Sequence, residues 1–246
     1  MHPWAHKLGF VVPSWNTVIE YETARMLPPG ASMHVTRISH TSDSMDSLQH
    51  MIDVAEESLA LVSHPGTDAL CFACTAACFV HGLAHDREHV ERWTKQAGRP
   101  VISTPGAFLE AASALGLRRV AVAAPYEDWL MTRLGSYLEE AGLEVLRSRG
   151  LGHQANILYE PEKAIELATS AWTEEADGLI LSCSNFRTLE AIPRIEAMLG
   201  KPVITSNTAA LWSLLRLSGW SGSIEGAGML FRIPASAPEA RLSRSA

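Results

Sequence analysis

The sequence predicts an α/β protein of two pseudo-symmetric lobes, each a doubly wound parallel sheet, with a site in the cleft between them. Three observations carry this expectation. Strand and helix patterns alternate along the chain, one stretch of sequence is written twice, and each copy ends a strand on a cysteine.

Short apolar runs bounded by turn residues predict buried parallel strands at 7–12, 35–39, 69–72, 100–104, 119–124, 143–148, 178–182 and 202–205. Helical stretches are expected between them, at 51–62, 107–115, 131–141, 161–172, 189–199 and 209–217. The repeat sets Asp68-Ala-Leu-Cys-Phe-Ala-Cys74-Thr75 beside Asp177-Gly-Leu-Ile-Leu-Ser-Cys183-Ser184. It sets Gly98-Arg-Pro-Val-Ile-Ser-Thr beside Gly200-Lys-Pro-Val-Ile-Thr-Ser, and the opening strand, Gly9 to Pro13, beside Val120 to Pro125. Residues 1–106 plus 207–232 are expected to form the N-terminal lobe and 107–206 the C-terminal lobe, with the helix at 107–115 crossing between them. Residues 233–246, rich in Pro, Ala, Ser and Arg, read as a disordered tail.

Composition excludes some partners. A hydrophobic share of 47% with 19% charged residues and no like-charge run describes an ordinary soluble chain. A net charge of -7 argues against nucleic acid, which requires clustered Lys and Arg. Residues 1–7 lack the basic and apolar regions of a secretory signal, and no segment is apolar for the length of a membrane span. The expected compartment is the cytoplasm, where the four cysteines would remain thiols.

Cys71, Cys74 and Cys78 do not read as a zinc knuckle. Strand residues alternate in direction, so Cys71 and Cys74 should diverge, and Cys183 has no cysteine near it in sequence. Cys71 and Cys78 are assigned to packing. Cys74 and Cys183, at equivalent strand ends, are candidates for chemistry; the plainer reading is a duplicated scaffold with buried cysteines. A thiol at a helix start lies beside the positive end of the dipole and unpaired N–H groups, which lower its pKa and also bind carboxylates. Cys74, followed by the small residues Thr75, Ala76 and Ala77, is expected to hold the lower pKa and act as nucleophile. Cys183, followed by Ser184 and Asn185, suits a proton donor.

At these residues the chain resembles the aspartate/glutamate racemase superfamily, and within it the maleate cis–trans isomerase and arylmalonate decarboxylase group. The resemblance rests on Val11-Val-Pro13-Ser14-Trp15-Asn16-Thr17, on Cys74, on Pro125-Tyr126, on Gln154-Ala-Asn156-Ile, and on Ser182-Cys183-Ser184-Asn185. It implies that Cys74 adds to C2 of maleate while Cys183 protonates C3, giving a succinyl-cysteine that rotates and releases fumarate. It also implies substrate binding by Ser14, Asn16, Tyr126 and Asn156, with backbone N–H groups of Thr75, Ala76, Ser184 and Asn185 completing a cradle. Without the resemblance, Tyr126 would read as a core aromatic and Asn16 and Asn156 as turn formers.

Alternatives stay open at this point. The decarboxylases of the group lack the first cysteine, so Cys74 argues against decarboxylation. Cys183-Ser-Asn-Phe-Arg187-Thr-Leu and Ser206-Asn-Thr-Ala-Ala-Leu-Trp212 also resemble a branch linked to ectoine breakdown. That branch implies a two-base racemase or epimerase of a small acidic amino acid. A non-enzymatic small-acid sensor is the third reading. Arg187 is either a surface charge or a carboxylate ligand. No phosphate loop and no metal pair is present, and His81, His85 and His89 read as a solvated helix face, so neither a cofactor nor a metal is expected. The expected partner is a small mono- or dicarboxylate. A homodimer is also expected, since apolar helices such as 209–217 permit one.

Overall fold

The computed structural model describes residues 4–153 and 158–233. Two four-stranded parallel sheets form its centre. The first contains β1 (His6–Pro13), β2 (Ala31–Ile38), β3 (Ala69–Phe72) and β4 (Val101–Ser103), in the order β2-β1-β3-β4. The second contains β5 (Arg119–Ala124), β6 (Glu144–Gly150), β7 (Gly178–Leu181) and β8 (Val203–Thr205), in the order β6-β5-β7-β8. The two orders are the same, so the repeated sequence folds into a repeated sheet.

Burial explains which strands were easy to read. β3 and β7 are buried along their whole length, and strands covered on both faces need unbroken apolar runs. The edge strands β2 and β6 are only half-buried and carry Ser32, His34, Arg147 and Arg149. Those polar residues hid the first part of β2, which starts at Ala31 rather than at 35.

Helices α1 (Ile19–Met26), α2 (Met45–Asp53), α3 (Ala55–Ser63), α4 (Thr75–Phe79) and α5 (Leu83–Ala97) connect the strands of the first sheet. α6 (Thr104–Ala114) leads to the second, whose connections hold α7 (Asp128–Glu140), α8 (Pro161–Ala171) and α9 (Ile192–Leu199). α10 (Ser206–Leu217) follows β8. The single helix expected over 51–62 is instead α2 and α3, broken at Val54, where φ is -103° and ψ 7°.

The repeat has a physical content. Asp68 takes the Lys7 N–H on its carboxylate at 2.7 Å and returns its own N–H to Lys7 O at 2.7 Å. Asp177 does the same with Arg119, at 2.9 and 2.8 Å. Each aspartate therefore clamps the start of one central strand to the next. Gly98 and Gly200, both at φ 62°, end α5 and α9 in the left-handed conformation that glycine adopts without a Cβ penalty. Pro100 and Pro202 come two residues later. After the short strand, Ser103 and Thr205 cap α6 and α10 by accepting the N–H groups of Gly106 and Thr208.

α6 and α10 pack against each other, and α10 also touches β1, β3 and β4 of the first sheet. Every residue of α10 from Ser206 to Leu215 is buried within the chain, so the apolar face expected to permit a dimer is spent internally. Asp86 of α5 joins the two halves, accepting from Ser103 Oγ and Tyr137 OH at 2.7 Å each. Among the described residues, no helix is long and apolar enough to cross a membrane.

Candidate active site

Cys74 lies two residues beyond β3, and Cys183 two residues beyond β7. Both sit at carboxyl ends of parallel strands, where open α/β sheets leave a crevice. Equivalent bonds fix the last step into each: Ala73 N to Val11 O and Ser182 N to Ala123 O, both 2.8 Å. The two strand ends open on one cavity, lined by both Cys74 and Cys183. Cys74, Thr75 and Ala76 form one wall. Tyr126, Cys183, Ser184 and Asn185, which follow strands of the second sheet, line the cavity as well, as does Asn16 beyond β1.

The backbone treats the two cysteines differently. Cys74 has an extended conformation, φ -108° and ψ 103°, and caps the five-residue α4. Cys183 has φ 97°, and among the described residues no other non-glycine residue has positive φ. Such backbone costs of order 1–3 kcal/mol and persists only where surrounding structure enforces it. A tight turn follows, with Phe186 N bonded to Cys183 O at 3.2 Å. α9 begins only at Ile192, not at 189 as expected, because Pro193 sits in its first turn and the intervening N–H groups are used elsewhere. Glu22 takes those of Thr188 and Leu189 at 2.5 and 2.8 Å, and the Asn207 amide at 2.6 Å. Cys183 is therefore not at a helix start, which corrects that part of the sequence reading.

Burial dominates both thiols. It pushes Cys74 up to about 12, against the N–H groups of Ala77 and Ala76, which pull the other way, while the nearby Asp43 carboxylate adds to the rise. Burial also raises Cys183, opposed by the Asn185 N–H and the Tyr126 hydroxyl and assisted by Asp43 and Cys74. At both thiols desolvation outweighs the backbone N–H groups, so neither is lowered from its ordinary value, and at Cys74 the field of a five-residue helix does not reverse this. All four cysteines are free, and Cys71 and Cys78 are buried in the core.

The remaining expected residues are divided. Asn16 lines the cavity and also orders the turn, its carbonyl accepting from Val18 and Ile19 N–H and its amide donating to Ser184 Oγ at 2.9 Å. Ser184 passes the contact on to Ala73 O at 2.9 Å, so one chain of bonds ties the two cysteine segments together. Tyr126 is buried, with its hydroxyl 3.4 Å from Ser182 Oγ. Ser14 does not line the cavity; its hydroxyl exchanges bonds with the His40 backbone at 3.0 and 3.2 Å. Asn156 lies outside the described residues, as does the expected tail from 234 onward. Arg187 lies outside the cavity wall and pairs with Glu160 and Glu190. Ring contacts run from His81, just before α5, through His85 to His89 and Trp93 on it, and His89 is buried rather than on a solvated face; among the described residues no His/Cys/Asp/Glu group is placed to hold a metal.

Sequence reading missed Trp15, His40 and Asp43, which complete the wall. His40 and Asp43 lie just past β2, which ends at Ile38, so the carboxyl-end rule applied to every strand would have found them.

The arylmalonate decarboxylase family model matches residues 8–231. The chain belongs to that family. Among members of known activity, it is 28% identical to the maleate isomerase of Pseudomonas putida, over 92% of this chain and 96% of that one. It is 29% identical to the arylmalonate decarboxylase of Bordetella bronchiseptica, over 91% and 95%. In structure it is similar to a variant of the Nocardia farcinica maleate cis–trans isomerase carrying a covalently bound succinylcysteine intermediate. That comparison has a TM-score of 0.89 at 28% identity and covers 94% of this chain and 99% of the other. It is also similar to arylmalonate decarboxylase itself, with a TM-score of 0.81 at 27% identity over 92% and 99%. The family resemblance and the fold class read from the sequence both hold.

Proposed function

We propose that this enzyme is a cofactor-independent cis–trans isomerase that converts maleate-type acids to their trans isomers through a covalent adduct on Cys74. The observation that carries the reading is the pair of thiols, one from the end of a strand in each sheet, lining a single cavity. In the reactive form Cys74 is a thiolate and Cys183 a thiol. Cys74 Sγ forms a bond to C2, and the displaced π electrons take the Cys183 proton at C3. The C2–C3 bond is then single and turns. Cys183 retakes a proton from C3, the double bond re-forms, and the Cys74 thiolate leaves. Splitting the isomerisation in this way replaces twisting of a double bond by two ordinary additions.

The raised Cys74 suits this role once its proton has gone, since a more basic thiolate is the stronger nucleophile. The N–H groups of Ala76 and Ala77 then hold the anion. Tyr126 beside Cys183 steadies the second thiolate when the proton is on substrate. Asn16, through Ser184, sets the spacing between the two cysteine segments.

Proton NMR of the protein with maleate in deuterated buffer tests the reading. Fumarate should accumulate, and Cys183→Ala should gain the mass of one maleate on the peptide carrying Cys74. Carbon dioxide release from an arylmalonate without fumarate formation would make it a decarboxylase. Deuterium entering Cα of an amino acid would make it a racemase.

A further inference from the structure

Trp15 lies two residues beyond β1, as Tyr126 lies two residues beyond the equivalent strand β5, and both aromatic residues line the cavity that holds the thiols. Tyr126 is buried beside Cys183, whereas Trp15 is half-buried. A half-buried side chain in the wall of a site could yield to a larger substrate. The surroundings of Trp15 hold it in place instead.

Its backbone is clamped on both sides. Arg37 Nη1, from β2, donates to Ser14 O at 3.1 Å and to Asn16 O at 2.9 Å. Asn16 N–H bonds to Pro13 O at 3.0 Å, and the Asn16 amide reaches Ser184 of the second lobe. Its ring is backed by another. The His40 ring meets it edge-on, with centroids 4.3 Å apart. His40 is buried, and both of its ring nitrogens have protein partners: Nε2 lies 3.2 Å from Asp43 Oδ1 and Nδ1 lies 3.5 Å from Ser47 Oγ. Ser14 Oγ donates to His40 O and accepts from His40 N–H, which ties the loop after β2 to the loop after β1. The indole therefore cannot retreat on that side without displacing a packed and bonded histidine, and close-packed groups transmit such strain rather than absorb it. Apart from its one N–H, an indole offers a carboxylate no donor, so it is the carbon skeleton of a substrate that packs on Trp15.

We propose that Trp15 is a specificity-determining residue that, braced by His40, limits the substituents on the central carbons of the substrate and confines the site to unbranched four-carbon acids. This rests on the isomerase reading for the reaction but not for the size limit. A methyl group added at C2 or C3 meets a surface that cannot give way, and one misfit carbon in a fixed pocket changes selection by about tenfold or more.

Calorimetric titration with two inert, achiral acids tests the limit: succinate and 2,2-dimethylsuccinate. The wild-type protein should bind succinate at least about tenfold tighter, and Trp15→Ala should bring the two acids within about threefold of each other. Trp15→Phe, which keeps a smaller ring against His40, should fall between them and decides where Trp15→Ala does not fold. Equal wild-type binding of the two acids, binding of neither, or a ratio unchanged in the variants overturns the proposal. Turnover of maleate and 2-methylmaleate, followed by proton NMR, separates this proposal from the isomerase reading. A size limit in binding that the Trp15 variants relieve, with neither cis acid isomerised, removes the isomerase reading and leaves Trp15 its role. Isomerisation of both cis acids at equal rates by the wild-type protein does the reverse.

Discussion

The two cysteine stations occupy equivalent places in sheets of the same strand order, yet the chain beneath them differs. Cys74 rests in relaxed extended backbone and leads directly into α4. Cys183 is held at positive φ and enters a turn, with the next helix delayed to Ile192. What restrains the second station comes largely from the other lobe: Glu22 of α1 takes two N–H groups of its loop, and Thr17 N–H binds Asn185 Oδ1 at 2.9 Å. Duplication supplies matching positions, and long-range contacts make them unequal. That inequality is what a nucleophile and a proton donor need.

The largest expected effect tests whether the roles are unequal at all. Cys74→Ser and Cys183→Ser should each lower turnover of a cis acid by on the order of 10³ or more, with thermal unfolding close to wild type. Only the Cys183 variant should accumulate an adduct by intact mass. Equal adduct formation in both would make the stations interchangeable.

Glu22→Gln should act on one station alone. Replacing a buried carboxylate that accepts from Thr188, Leu189 and Asn207 should cost about 1–3 kcal/mol in denaturant unfolding. It should lower kcat while leaving alkylation of Cys74 unchanged. A change in Cys74 reactivity would show that the two stations are coupled.

The field around Cys74 can be measured by its alkylation rate with limiting iodoacetamide, followed by peptide mapping. A thiol pushed up to about 12 is almost wholly protonated at neutral pH, and its thiolate fraction grows as pH rises. The rate should therefore climb about tenfold per pH unit from pH 7 to 10 without levelling. A plateau near the ordinary thiol range would mean that the N–H groups of Ala76 and Ala77 outweigh burial.

The smallest effect concerns backbone alone. At position 183 positive φ favours glycine, so Cys183→Gly should be more stable than Cys183→Ala by about 1 kcal/mol. At position 74 the order should reverse by roughly 0.5–1 kcal/mol, since extended backbone gives glycine only its entropic cost. The same order at both sites would remove strain as the difference between them.

Much of the molecule was legible because its signals are local. Asp68 and Asp177, Gly98 and Gly200, and Ser103 and Thr205 each act within a few residues or one strand pairing, so their repetition announced two like sheets. Cys74, Cys183, Asn16, Tyr126, Ser184 and Asn185 were found through the strand-end rule and the family resemblance. The bonds of the Ser14 hydroxyl to the His40 backbone, 26 residues away, are announced by no local pattern. His40 and Asp43 were missed because they follow the half-polar edge strand β2, whose signal was weakest.

The sequence by itself determined the two parallel sheets, the places where their strands end and the residue types available there. It could do so because apolar periodicity, caps and turn residues act over short range. Only the tertiary structure decided that Cys183 adopts positive φ, that burial outweighs the helix field at Cys74, and that an aspartate faces both thiols. Those outcomes depend on desolvation and on contacts such as Glu22 to Thr188 and Asn16 to Ser184, between residues more than 160 positions apart, and exist only once the two lobes close on each other.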